Sequence, residues 1–409
     1  MIKIIYILIG LILLVSCEHT STNNNHWEEI LSKGGPIIKR VLNNKSQYEI
    51  QLLHTSISHP ADDELRFINH AYNIDTTQYF YPASTVKMPV AFLALEYINA
   101  LSKSDPDINM FSRLAFDSIA PPQQVEYIDT TSPTGYPNVA HYIEKIFSAS
   151  DNNAYNRLYE LLGQDYINDK LREKGIFTNS KIIHRVGVSG FDKEANKYTN
   201  PYQIIDDNGQ VLYEQNELYA LYDHYPIVHN CKKGLGYYDD NLDTIVHKSF
   251  DFSHKNFINL VDLQESMLRI LYPEAFEQEQ RFDLSSEQHT FLQKTMKKTP
   301  DQYPHLAYNN DYYDSYVKFF MYGDSKESIP DHIEISNKVG WAYGYLTDCA
   351  HIRDTQNDIE FFLTATIHVN ANQIYNDGNY EYEEIGVPFL AELGRLVYDY
   401  ELSNIDDSN

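Results

Sequence analysis

The spacing of apolar residues changes several times along this sequence, and each change marks an element. Helical spacing runs from about Trp27 to Leu42. Two strand-like runs follow, Tyr48-Glu49-Ile50-Gln51-Leu52-Leu53 and Leu65-Arg66-Phe67-Ile68-Asn69. The polar turn Ser58-His59-Pro60-Ala61-Asp62-Asp63 separates them and predicts a hairpin. Ala91 to Leu101 is apolar and rich in helix formers. From about 140 to 175 the period is helical again, through Ile143, Ile146 and Phe147 and then Leu158, Leu161 and Leu162. Residues 202–300 are rich in Tyr, Asp and Asn and hold no clean period, so they read as an insertion with a helix near Phe257 to Leu271. Glu334 to Ile352 reads as a strand hairpin carrying Gly340 and Gly344, and Ile359 to Val369 as a further strand. Val387 to Leu402 is an amphipathic helix, with Phe389, Leu390, Leu393, Leu396 and Val397 on one stripe.

This order predicts an α/β (α+β) fold. The terminal strands form an antiparallel sheet covered by the first and last helices, and a long, mostly helical middle forms a second lobe. A site is expected in the cleft between them. The folded domain is read as 27–402, with its insertion at 202–300 and a tail at 403–409.

Composition narrows the function. With 409 residues and 43% apolar content the chain can bury a sizeable core. Its formal net charge of −26 repels phosphate backbones, which excludes nucleic acid as the expected partner, and it offers no basic patch to anionic lipid heads. Three cysteines, Cys17, Cys231 and Cys349, are too few for a disulfide scaffold and show no zinc spacing. Cys231 and Cys349 either pair in an oxidising compartment or remain buried thiols. Residues 1–16 read as a signal peptide, with Lys3 ahead of the apolar run Ile4 to Val15. Leu14-Val15-Ser16-Cys17 resembles a bacterial lipobox, which implies a diacylglycerol on Cys17. Residues 17–26 then form a solvated tether, and the protein sits in the cell envelope, periplasm or surface, anchored by lipid to a bacterial membrane.

Three short motifs carry candidate chemistry. Ser84-Thr85-Val86-Lys87 opens an apolar helix, so hydroxyl and amine share a face. A lysine desolvated among apolar neighbours loses proton affinity and can activate a serine. Alone the motif is weak; it recurs at Ser315-Tyr316-Val317-Lys318, and Ser84 reads equally as a helix N-cap. Ser150-Asp151-Asn152 lies between two helical patterns and alone reads as a cap. Lys338-Val339-Gly340 lies in the late hairpin and alone reads as a solvated strand edge. Pro89 removes a helix hydrogen bond close behind the first motif.

In order, Ser-x-x-Lys, Ser-Asp-Asn and Lys-x-Gly resemble the signature of class A β-lactamases and penicillin-binding proteins. The Ser315 decoy fails this order. The resemblance spans about residues 27–402 and implies an acyl-enzyme on Ser84, formed from an amide or β-lactam. Lys87 would help deprotonate Ser84, and Ser150 would relay a proton to the leaving nitrogen. Asn152 would bind the substrate amide and Lys87. Lys338 would face the substrate carboxylate, and the backbone N–H groups of Ser84 and of Trp341, after Gly340, would form the oxyanion hole. The implied substrate is a small molecule or a peptidoglycan peptide.

Two departures stand out. Val339 occupies the position where the family's third motif has a hydroxyl residue, which removes one grip on a carboxylate. The family's deacylating glutamate matches Glu194, or Asp192, with Asn196 as partner, in a loop from Gly190 to Pro201 that is short. Without that base an acyl-enzyme turns over slowly, which suits a D-Ala-D-Ala peptidase or esterase better than an efficient β-lactamase. The competing expectation is a non-catalytic lipoprotein that keeps the fold and binds cell-wall peptide or a protein. No cofactor is implied. No metal is expected, since His224, His229 and Cys231 lack a recognised ligand pattern.

Overall fold

Helix formation at the N-terminus is interrupted where the sequence requires it. Lys33-Gly34-Gly35-Pro36 divides the expected helix into α1 (Asn24–Ser32) and α2 (Pro36–Asn43). Proline cannot continue α1 but suits the first turn of α2. The short α3 (Lys45–Tyr48) leads into β1 (Gln51–Ser58) and β2 (Arg66–Tyr72), which pair antiparallel as expected, with His54 opposite His70. The computed structural model describes residues 24–58, 65–221, 226–303 and 312–406. The expected signal peptide, Cys17, the tether up to residue 23, turn residues 59–63, His224 and residues 407–409 lie outside the described residues.

The first part of the middle contributes α4 (Lys87–Ser102), β3 (Arg113–Phe116), α5 (Val139–Ala149), α6 (Asn152–Leu162) and α7 (Gln164–Glu173). The insertion adds β4 (Tyr202–Ile205), β5 (Val211–Gln215), β6 (Lys232–Lys233), β7 (Gly236–Asp239), β8 (Thr244–Val246) and β9 (Phe250–Asp251), then α8 (Leu260–Leu271) and α9 (Ser286–Lys297). The C-terminal part supplies β10 (Ile333–Ala342), β11 (Tyr345–Asp354), β12 (Ile359–His368), β13 (Ile374–Tyr375) and α10 (Val387–Asp406).

The main sheet is five-stranded and antiparallel, in the order β10-β11-β12-β1-β2. Side chains alternate between its faces. On β12, Phe361, Leu363, Ala365 and Ile367 join one core with Trp27, Ile30 and Val41 from the N-terminal helices and Phe389, Leu393 and Val397 of α10. Phe362, between them, joins the lobe core with α4 to α8. Val90 to Leu95 of α4 are fully buried, as expected of a helix that is apolar on all sides. The fold is thus the predicted one: an antiparallel sheet between terminal helices and a helical lobe.

Three expectations are corrected. The middle is less helical than expected, because residues 202–251 form small β pieces, β3-β4-β5, β13-β7-β8 and β6-β9. Their Tyr, Ile and Val runs favour extended backbone. Helix α1 starts at Asn24, three residues before Trp27, and His26, assigned to a solvated tether, is buried. Helix α10 runs through Asp406, so part of the expected tail is helical. Cys231 and Cys349 are both free, Cys349 buried in the lobe core.

Candidate active site

Residues Ala83–Val86 form a 3-10 turn that runs directly into α4. Thr85 holds this turn, its N–H and hydroxyl both donating to the Pro82 carbonyl. Ala83, just ahead of Ser84, has φ +47°, a conformation that a residue with a Cβ adopts only when its surroundings enforce it. Pro89 is the third residue of α4, in the first turn, where an N–H has no intrahelical partner to lose. The proline therefore costs no helix hydrogen bond. Ser84 is half-buried and faces a groove of about 600 Å³ between the lobe and the sheet. Strand β10 closes against it. A Cβ at Gly340 would lie 2.6 Å from the Pro82 carbonyl oxygen, 2.8 Å from the Ser84 nitrogen and 2.9 Å from the Thr85 nitrogen. Only glycine permits that approach.

The second motif is both a cap and a source of groove residues. Ser150 ends α5 in the left-handed conformation, φ +55°, and Asp151 caps α6 by accepting from the Ala154 N–H at 2.8 Å. These backbone roles leave the Ser150 and Asn152 side chains in the groove lining. Lys87 Nζ donates to Asn152 Oδ1 at 2.7 Å and to Ser150 Oγ at 3.4 Å, and also to the Ser150 carbonyl. Lys338 Nζ approaches Ser150 Oγ from the sheet side at 2.8 Å and donates to the Val339 carbonyl at 2.8 Å. Two lysine amines from opposite lobes thus converge on one hydroxyl. Ser84, Ser150, Asn152, Gly340 and Trp341 line the same groove, with Lys87 and Lys338 buried behind them. Among the described residues, none hydrogen-bonds the Ser84 hydroxyl.

Burial sets the charge state of this cluster. Lys87 is held well below the usual lysine range, first by desolvation and then by the Lys338 ammonium; Asp151 opposes the shift. Desolvation pushes Lys338 down to about 7, against the pull of Asp348 on the neighbouring strand. Asp348 is itself buried and accepts from Asn337 Nδ2 and from the Phe319 and Phe320 N–H groups. It is a supporting residue that no short motif reveals. The Ser315 decoy is structural: Lys318 is buried and donates to the Ile335 and Met296 carbonyls and to Asn337 Oδ1.

Glu194 is not brought to the groove. Its carboxylate accepts from the Tyr219 hydroxyl at 2.9 Å and lies 3.6 Å from Lys197, with the side chain 59% exposed. Its turn, Ala195–Lys197, is too short to project it inward, and Asn196 is buried holding the loop to the Arg185 N–H. Val186 and Gly187 line that side of the groove instead, Gly187 packing so closely on Asn152 that a Cβ would meet its Nδ2 at 2.1 Å. The described groove lining contains no carboxylate. Beyond Tyr81, Gly187 and Tyr343, which line both, opens a pocket of about 350 Å³. Among the described residues, Lys181, Arg185, Lys193, Lys197 and Lys255 line it against a single carboxylate, Asp192. Sequence reasoning missed this basic pocket, because Lys181 and Lys255 lie far apart in the chain.

Residues 37–214 match the model described as the beta-lactamase enzyme family. No curated protein matches the sequence. Similar solved structures include a β-lactamase from Desulfarculus baarsii, 14% identical with a TM-score of 0.48, covering 89% of this chain and 96% of that one. Another is the chromosome-encoded β-lactamase of Vibrio parahaemolyticus, 13% identical with a TM-score of 0.47, covering 88% of this chain and 97% of that one. The matched segment holds Ser84, Lys87, Ser150 and Asn152, and the groove joins them to Lys338; over that segment the chain is similar to the β-lactamase enzyme family.

Proposed function

We propose that the protein is an acyl-transferring serine hydrolase that acts on an amide or β-lactam and resembles a D-Ala-D-Ala peptidase more than an efficient β-lactamase. The observation that carries this reading is the meeting of Lys87 and Lys338 on the Ser150 hydroxyl beside Ser84. A neutral Lys87 takes the Ser84 proton as the oxygen bonds to the carbonyl carbon. The carbon–nitrogen bond then breaks, and the leaving nitrogen takes the Ser150 proton, which the lysines replace. The N–H groups of Ser84 and Trp341 are the expected donors to the oxyanion.

The lack of a carboxylate in the described groove lining supports slow release of the acyl group, since no side chain there is suited to activating water. Carboxylate recognition also departs from the family pattern: Val339 has no hydroxyl, and Lys338 is buried. The neighbouring basic pocket supports an acyl donor that carries an anionic group on that side. From the Lys3-to-Cys17 pattern alone, we place the protein in the bacterial cell envelope, lipidated on Cys17. Among the described residues, no helix is long and apolar enough to cross a membrane.

Fluorescent penicillin or a fluorophosphonate is expected to label the wild type and not Ser84→Ala, and intact mass is expected to show an adduct that decays slowly. Equal labelling of both proteins rejects Ser84 as nucleophile. The same missing carboxylate favours a second reading, a non-catalytic protein that binds cell-wall peptide or a protein partner. In that case no adduct forms, and peptide binding survives Ser84→Ala.

A further inference from the structure

A second cluster of chemistry-bearing side chains lies at the other edge of the sheet from Ser84. We propose that His26, His54 and His70 form a binding site for one divalent transition-metal ion of the zinc class, which fastens α1 to the β1–β2 hairpin. One ring nitrogen of each histidine lies within 4.8 Å of the others. His54 and His70 face each other across β1 and β2, and α1 lays His26 over them, its ring stacked on His70 at 3.6 Å and 7°. His26 Nε2 and His54 Nδ1 are 2.9 Å apart. These two nitrogens share a hydrogen bond, and an imidazole binds an ion in its own ring plane, so ligation replaces that bond and turns His26 out of its stack on His70, setting the nitrogens about 3.3 Å apart, as two ligands of a tetrahedral zinc at 2.0–2.1 Å require.

The surroundings fit a metal site. The Glu401 carboxylate of α10 lies 3.0 Å from His54 Nε2. By taking the proton there it leaves the Nδ1 lone pair aimed at the other rings, as carboxylates behind metal-bound histidines do. Ser56 Oγ, at 2.8 Å, and the His54 pair hold Glu401 in place. His70 Nδ1 is buried without a hydrogen-bond partner, while the Trp27 indole fixes the His70 backbone carbonyl at 3.1 Å. Burial first, then the neighbouring imidazoles, holds His26 down to about 3; burial and His54 hold His70 down to about 4, although Glu401 pulls the latter up. Three protein ligands leave one position for water or a fourth donor. Imidazole also suits copper and nickel, so Zn²⁺ is the probe of the class rather than its only member.

The test uses the untagged full chain, stripped with a chelator and titrated with Zn²⁺ by calorimetry and with Co²⁺ by visible absorption. The expected result is one ion per chain, a Co²⁺ spectrum of low-coordinate nitrogen ligation, and a melting temperature that rises with free metal. Stoichiometric binding is expected to be lost in His26→Gln and in His70→Gln, to weaken about 10–100-fold in Glu401→Gln, and to survive His229→Ala. Absence of one-to-one binding by the wild type overturns the site without reference to any variant. Binding retained in the His26→Gln/His70→Gln double variant overturns it as well. Neither outcome bears on Ser84, since the readout is metal rather than acylation.

Discussion

At the residue scale, the central fact is two buried lysines that the fold keeps for a hydroxyl. Lys87→Met is expected to reduce acylation about 10²–10⁴-fold, the range of a positioned base. It is also expected to raise the melting temperature, because a desolvated amine is removed from an apolar helix; a lower melting temperature would show that its hydrogen bonds outweigh that cost. Lys338 has a pH signature. Its pKa is depressed to about 7, so it is charged below that pH and neutral above it. Acylation by an anionic β-lactam is expected to weaken as pH rises through 7, while that by a neutral ester changes less. Between about 7 and the ordinary lysine value of 10.5 the unfolded chain binds more protons, so stability rises with pH across that window. The stabilisation gained by Lys338→Met is therefore largest below pH 7 and fades above it, which melting curves at several pH values will show. Glu194→Gln is expected to leave adduct lifetime unchanged; a longer lifetime would return Glu194 to the chemistry.

At the scale of elements, the sequence was most legible where period and turn chemistry agree. The β1–β2 pairing, the late strands and α10 fall where the apolar pattern put them, although β1 is Gln51–Ser58 rather than the run Tyr48–Leu53 and Tyr48 closes α3; the three motifs fall on a helix start, an interhelical turn and a strand. Chain pattern does not encode which residues meet across elements. Asp348 shares no motif with Lys338, yet it immediately precedes Cys349, the residue opposite Lys338 in the register. His54 and His70 are likewise 16 residues apart and become neighbours only through strand register. Glu194 was misplaced because a short loop was matched to a longer one. Gly340 tests how closely the elements must fit. Gly340→Ala drives a Cβ into the Ser84 turn and is expected to cost about 1–3 kcal/mol and most of the labelling. Retained labelling at wild-type stability would mean that the turn yields freely.

At the scale of the whole molecule, charge is unevenly distributed. A chain of net charge −26 gathers five cationic side chains around one pocket beside its candidate nucleophile. Arg185 is matched by Glu160 and Lys197 by Glu194, but no acidic partner of Lys255 is found among the described residues. Lys255→Glu is expected to weaken capture of an anionic acyl donor on the order of tenfold, with little change for a neutral one. A salt titration separates this effect from misfolding, since the wild-type preference for the anion falls with ionic strength.

The sheet order puts β10 at one edge and β2 at the other, four strand spacings of about 4.8 Å apart, or roughly 19 Å. Helix α1 sits against β2, so Asn24 lies on the flank opposite Ser84. Bulk joined at Asn24 leaves the mouth of the groove uncrowded, and a large soluble protein fused there is expected to leave the rate of Ser84 labelling undiminished.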